Sequence, residues 1–196
     1  MDADAASGQA AGWRSEAPLY GGAIVCDMPR CFSDASNFRE VPDHQEVWVD
    51  GASDRSLIVE ILERKDEVPD DQALAFFLSD LAAFNEAQEA AVLTSRPALM
   101  GEELPRLPAD VRCFTGVGEQ KVAKFKEACS NRVRVHMCAI RLAEQRTDIL
   151  LTLNDPVSID PQSSSGGLPV LQGAEEVFAR VLRSFRIVDW DLFGES

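Results

Sequence analysis

At 196 residues with 45% hydrophobic content, the chain is long enough for one sizeable core and short for two. Its 33 Asp and Glu against 19 Lys and Arg leave a formal charge of -14, which repels phosphate backbones and anionic lipid headgroups and favours a basic protein surface as partner. The charge is uneven: Asp34 to Asp71 carries 12 acids against 4 bases, whereas Arg112 to Arg146 carries 8 bases against 3 acids, so the first stretch is the candidate contact surface.

Residues 1–17 are rich in Ala, Gly and Ser and carry early acids, unlike the apolar core of a secretory signal or an Arg-rich transit peptide, and they read as a flexible tail before one domain over 18–196. No run reaches transmembrane length. Leu19 to Val25 (LYGGAIV) reads as a first strand, ended by Pro29. Gln45 to Val49 alternates, with Val47 and Val49 on one face and Glu46 and Trp48 on the other, as a strand does. Over Asp54 to Glu63 the period favours a helix, because Leu57, Ile58, Ile61 and Leu62 then share one side. Ser53 or Asp54 would cap it, and Glu60 and Glu63 would be neighbours on its solvent face.

A second helix follows Pro69, capped by Asp70, with Leu74, Phe77, Leu78, Leu81 and Phe84 as its core stripe. Asn85 to Asp110, with three prolines, reads as irregular connection with room for a short strand near Ala91 to Leu93. Three strand-like runs come next: Arg112 to Phe125, interrupted around Gly116 and Gly118, then Arg132 to Leu142 and Thr147 to Leu153. Their short connections predict antiparallel neighbours. Asn154 to Gln172 carries turn and linker residues, and Ala174, Val177, Phe178, Val181, Leu182 and Phe185 mark a last amphipathic helix. Helices on both sides of such a sheet give an α/β/α, or α+β, sandwich around a largely antiparallel central sheet of about six strands.

Catalytic signals are sparse. No phosphate-cradling G-x-x-x-x-G-K-[ST] run occurs, and Gly116-x-Gly118 lacks the third glycine of a dinucleotide fingerprint. His136 and Cys138 share a strand face by period two, but a core or sheet-surface histidine accounts for them better than a nucleophile pair. Cys26, Cys31 and His44 lack zinc-site spacing, so neither a metal nor a cofactor is expected. The five cysteines form an odd set without a tight repeat, consistent with free thiols in a reducing compartment.

The runs LYGGAI (Leu19 to Ile24), D-x-S-x-x-R-E-V-P-D-x-Q-E-V (Asp34 to Val47) and SLIVEILE (Ser56 to Glu63) resemble the Ran guanine nucleotide release factor family, the Mog-type proteins. AIRL (Ala139 to Leu142), TDILLTLNDP (Thr147 to Pro156) and SFRIVDWDLF (Ser184 to Phe193) extend the resemblance in the same order, while residues 85–110 and 157–172 match no motif. The resemblance implies a PsbP-like sandwich that binds the GTPase Ran, promotes release of its nucleotide and serves nuclear transport, in nucleus and cytoplasm, without enzymatic activity and as a monomer when alone. By motif match it assigns Ran binding to Glu60 and Glu63, and less directly to Arg39, Glu40, Asp43, Gln45 and Glu46. The competing readings are a PsbP-like photosynthetic accessory protein, which needs a lumenal targeting segment not visible here, and an enzyme using Cys138 and His136.

Overall fold

The computed structural model of the chain describes residues 12–123 and 127–194. Its central feature is a seven-stranded antiparallel sheet in the order β3-β4-β5-β9-β8-β7-β6, built from Ser33–Asp34 (β3), Gln45–Asp50 (β4), Arg55–Glu63 (β5), Glu89–Pro97 (β6), Arg112–Val122 (β7), Asn131–Leu142 (β8) and Thr147–Ser158 (β9). Helix α1 (Asp70–Phe84) covers part of one face, enclosing Leu74, Phe77 and Leu78 with Val135, Met137, Ala139 and Leu150. The other face packs on helix α3 (Ala174–Ser184) and on a second, three-stranded sheet of Trp13–Leu19 (β1), Ile24–Pro29 (β2) and Arg186–Ile187 (β10). A short helix α2 (Met100–Glu103) lies between β6 and β7. Helices on both faces of an antiparallel sheet are the sandwich that the strand and helix periods predict, with one central strand more than expected.

The expected helix over Asp54 to Glu63 is a strand. Leu57 and Val59 point into the core shared with α3, while Ile58 and Leu62 point to the α1 side. Its second face is half-buried yet also carries Ile58 and Leu62, so apolar residues stand at odd and even positions alike, the alternation is lost and the run mimics a helical stripe. Three β-branched residues, Ile58, Val59 and Ile61, favour the extended form. The supposed cap belongs to the β4–β5 hairpin: the Asp50 carboxylate accepts from Ala52 N at 3.0 Å and from Ser53 Oγ at 2.6 Å, while Asp54 takes a left-handed φ of 63°.

Five further boundaries move. Residues 13–17, expected in the tail, pair with β2 as the start of β1; Trp13 gains an apolar contact against the core and a stacked Arg180 guanidinium 4.2 Å from its ring centroid. Residues 1–11 of the expected tail lie outside the described residues. Glu89–Pro97 is a full edge strand, and β9 runs on to Ser158 through residues expected in a loop. Strand β7 is continuous through Gly116, where a Cβ would collide with Thr94 O and come within 2.6 Å of Leu74 Cδ2. Glycine there marks close approach of β6 and α1, not an interruption; Phe125, at the end of that expected run, lies outside the described residues. Asp70 opens α1 as its first residue, with Pro69 at the cap position.

Candidate partner-binding surface

With β5 a strand, Glu60 and Glu63 point to opposite faces and stand about 10 Å apart along the chain, three residues at about 3.3 Å each. Glu60 lies on the α1 side, half-buried, directly opposite Gln45 of β4, whose Nε2 donates to Glu60 Oε1 at 2.7 Å. Burial pushes its carboxyl above the usual range, against which the Gln45 hydrogen bond and His44 pull it down, and Asp80 of α1 adds to the rise. Glu63 ends the strand exposed to solvent. Among the described residues neither carboxylate is paired with an arginine or lysine, so both are available to a cationic partner.

The remaining predicted residues divide into two groups. Asp43 is exposed in the turn that leads into β4, where Gln45 N donates to Pro42 O at 2.9 Å; Arg39 and Glu40 are exposed on the preceding segment. Glu46 does something else. It faces the opposite side of β4, half-buried, and its Oε1 accepts from Tyr20 N at 2.6 Å. Tyr20 sits at φ 48° in the Tyr20–Gly22 turn that joins β1 to β2, followed by Gly21 at φ 66°. Its hydroxyl donates within reach of two carbonyls, Val59 O at 2.7 Å and His44 O at 2.9 Å. The LYGG run is therefore a clamp that fixes the small sheet to β4 and β5, with Glu46 as its anchor. Burial and the neighbouring carboxylates Glu46 and Glu60 hold the Tyr20 phenol far above its ordinary pKa, so it stays a donor.

Two charged residues inside apolar strands escaped the sequence reasoning. Arg141 and Asp148 face each other across the β8–β9 hairpin, with both side chains at 0% exposure and Arg141 Nε 3.0 Å from Asp148 Oδ1. The remaining Arg141 donors reach Lys65 O at 2.6 Å and Val68 O at 2.7 Å, and Lys65 N donates to Asp148 Oδ2 at 3.0 Å. This pair therefore holds the 64–69 connection that leaves Glu63 and enters α1. The signal was present: a full charge within an otherwise apolar strand must find a partner when buried, and a short hairpin places Arg141 opposite Asp148. Arg55 and Asp155 repeat the device at 2.7 Å, with Arg55 also donating to Leu171 O and Gln172 O and so tying down the long connection before α3.

The Cys138 and His136 face offers no nucleophile. Cys138 is completely buried and its thiol is held well above the ordinary value, while burial pushes the His136 imidazole down and its ring lies 6.0 Å from that of Phe178. Both groups are thereby kept neutral. No cluster of three or more His, Cys, Asp or Glu able to hold a metal occurs among the described residues.

Fold and surface together define an acidic α/β/α sandwich whose SLIVEILE strand carries two carboxylates, half-buried Glu60 and exposed Glu63, on opposite faces. A family model described as Ran-interacting Mog1 protein matches residues 17–156, and the chain belongs to that family. It is 37% identical over 183 residues to a Danio rerio protein named Ran guanine nucleotide release factor, covering 90% of this chain and 98% of that one. A Dictyostelium discoideum protein named probable ran guanine nucleotide release factor is 33% identical, with 89% and 94% covered. The crystal structure of the Saccharomyces cerevisiae Ran-binding protein Mog1p superimposes with a TM-score of 0.68 at 28% identity, covering 93% of this chain and 99% of that chain.

Proposed function

We propose that this protein binds a Ran GTPase and promotes release of its guanine nucleotide in support of nuclear import, as one domain that starts with β1 and has no turnover of its own. The observation that carries the reading is the pair Glu60 and Glu63, unpaired by any cation among the described residues and set in the strand with the SLIVEILE motif. Asp43, Gln45, Glu40 and Arg39 extend the surface around them. Gln45 orients Glu60 through its hydrogen bond, whereas Glu46 supports the surface from behind through Tyr20. Names borne by the relatives supply the partner, and the net charge of -14 suits a basic patch on it while disfavouring nucleic acid or an anionic membrane. The protein acts as a monomer, in nucleus and cytoplasm.

Nucleotide release then follows from linkage. A partner that binds the empty GTPase more tightly than the loaded one weakens nucleotide affinity by the same factor. Half-burial makes Glu60 costly to keep charged in the free protein, so a cation that pairs with it regains interaction energy on docking. The test is displacement of a fluorescent guanine nucleotide from Ran. Glu60→Lys with Glu63→Lys is expected to abolish the stimulation while the thermal transition persists; stimulation equal to the unmodified protein's would sink the assignment. High salt should slow association, since rim charges act mainly on the rate of encounter.

A further inference from the structure

Helix α1 was expected to bury Phe84 with the rest of its stripe, yet that ring is 85% exposed. Seven residues at about 100° each bring Phe84 to within about 20° of Phe77, so it lies on the sheet-facing side of the helix. The helix simply outruns what it packs on. It packs on β6, β7 and β8 and reaches Leu150 of β9, and beyond it, over β4 and the parts of β5 and β9 that carry Ile58 and Asn154, the same sheet face is open. There lies a cleft of about 520 Å³, floored by Val47, Ile58 and Val133 and bounded by Asn85, the residue after Phe84, and by Arg39. Phe38, the neighbour of Arg39, is 74% exposed.

Two amides give the cleft polar character. Gln120 and Asn131 are only 3% and 2% exposed, and each spends its side-chain oxygen on the protein: Gln120 Oε1 accepts from Asn85 and Asn131 Oδ1 from Asp160 N. Both side chains line the cleft. Amides beside an apolar floor suit an incoming peptide carbonyl next to an apolar side chain.

The cleft and Glu60 lie on one surface. On β4, Gln45 precedes Val47 on the same face; on β5, Glu60 follows Ile58 on the same face, about 7 Å on at strand spacing. Asp80, on the exposed side of α1, is close enough to raise the Glu60 pKa. We propose that this cleft, with Phe84 and Phe38 beside it, is the apolar centre of the GTPase-binding surface proposed above, with Glu60 and Asp80 as its charged border. The occupant is a segment of the GTPase in which an apolar side chain is flanked by lysine or arginine, because Glu60 and Asp80, neither paired with an arginine or lysine among the described residues, stand beside the cleft. Apolar anchors in a central pocket, surrounded by charge that excludes water and sets register, are the arrangement in which a few residues carry most of an interface.

The inference rests on the Ran reading, and the experiment separates the two. Binding of the full chain to nucleotide-free Ran is measured by titration for Phe84→Ala, Phe38→Ala, Val49→Trp, which fills the cleft from its half-exposed wall, and the Glu60→Lys, Glu63→Lys pair. The two phenylalanines are too exposed to support the fold, so their unfolding midpoints should match that of the unmodified protein. Expected is a loss of affinity of about tenfold for Phe84→Ala or Val49→Trp, the size of a central anchor, with a smaller loss for Phe38→Ala. Unaltered affinity in all three, with loss in the charge-reversed pair, overturns the cleft and leaves the Ran reading standing. Ran binding absent even from the unmodified protein removes both. Self-association of the chain that Phe84→Ala abolishes would assign the face to a second copy and overturn the inference as well.

Discussion

Replacing Asp148 by Ala tests whether a buried ion pair holds the surface in place. The change strips Arg141 of its carboxylate where both side chains are fully buried, and it leaves Lys65 N without the acceptor at 3.0 Å. Breaking a buried pair from one side costs about 3–5 kcal/mol, because the remaining charge stays desolvated. The orphaned amide is about 1 kcal/mol of that loss. Arg141 still donates to Lys65 O and Val68 O and lies 3.3 Å from Asp70, which places the expected loss near the middle, about 4 kcal/mol. With a urea dependence of about 2 kcal/mol per molar, the unfolding midpoint should fall by about 2 M. Chemical denaturation followed by tryptophan fluorescence gives the number directly. Because the 64–69 connection begins where Glu63 ends, Ran association should weaken a few-fold in conditions where the variant remains folded. A midpoint within about 0.5 M of the unmodified protein, or an unchanged affinity, refutes the view that this pair organises the acidic edge. The double change Arg141→Met with Asp148→Leu should recover only part of the stability, since an apolar pair fills the space but leaves Lys65 N, Lys65 O and Val68 O without partners.

Three further outcomes follow from the same geometry. Glu60→Gln should stabilise the protein at pH 7 by about 0.5–1 kcal/mol while weakening Ran binding, because it removes a half-buried charge and keeps an acceptor for Gln45. The raised pKa of Glu60 means that the folded state holds the proton more tightly than the unfolded chain, so the penalty is absent at acid pH and grows as pH rises through the raised value. The advantage of Glu60→Gln over the unmodified protein should therefore vanish in melts near pH 4, and a constant difference across pH would contradict the burial argument. Tyr20→Phe removes one hydroxyl shared between His44 O and Val59 O and should cost about 1 kcal/mol, read as a lower melting temperature with Ran binding retained. Gly116→Ala should cost more, about 2–3 kcal/mol, since its Cβ would collide with the Thr94 carbonyl, which is backbone and can yield only by shifting β6; a melting temperature unchanged by this substitution would show that the edge strand gives way freely.

The amino-acid sequence by itself determined the layered class, the last helix, the strand runs from Arg112 to Leu153 and the motifs that carry the family, because these rest on local periodicity and on residue order. Tertiary structure alone decided the rest. Whether SLIVEILE is helix or strand depends on what its two faces meet: one packs into the core shared with α3, the other is half-buried and also carries Ile58 and Leu62, and the apolar pattern then ceases to discriminate. That single change of element separates Glu60 from Glu63 and assigns Gln45 to Glu60, while the fold of the small sheet brings Tyr20 to Glu46. Phe84 kept its helical phase but lost its cover, since a helix's length is local whereas the extent of the sheet area it packs on is not. Arg141 and Asp148 read as ordinary charges along the chain, and only hairpin register, which joins residues of adjacent strands, made them the buried pair on which the acidic edge is built.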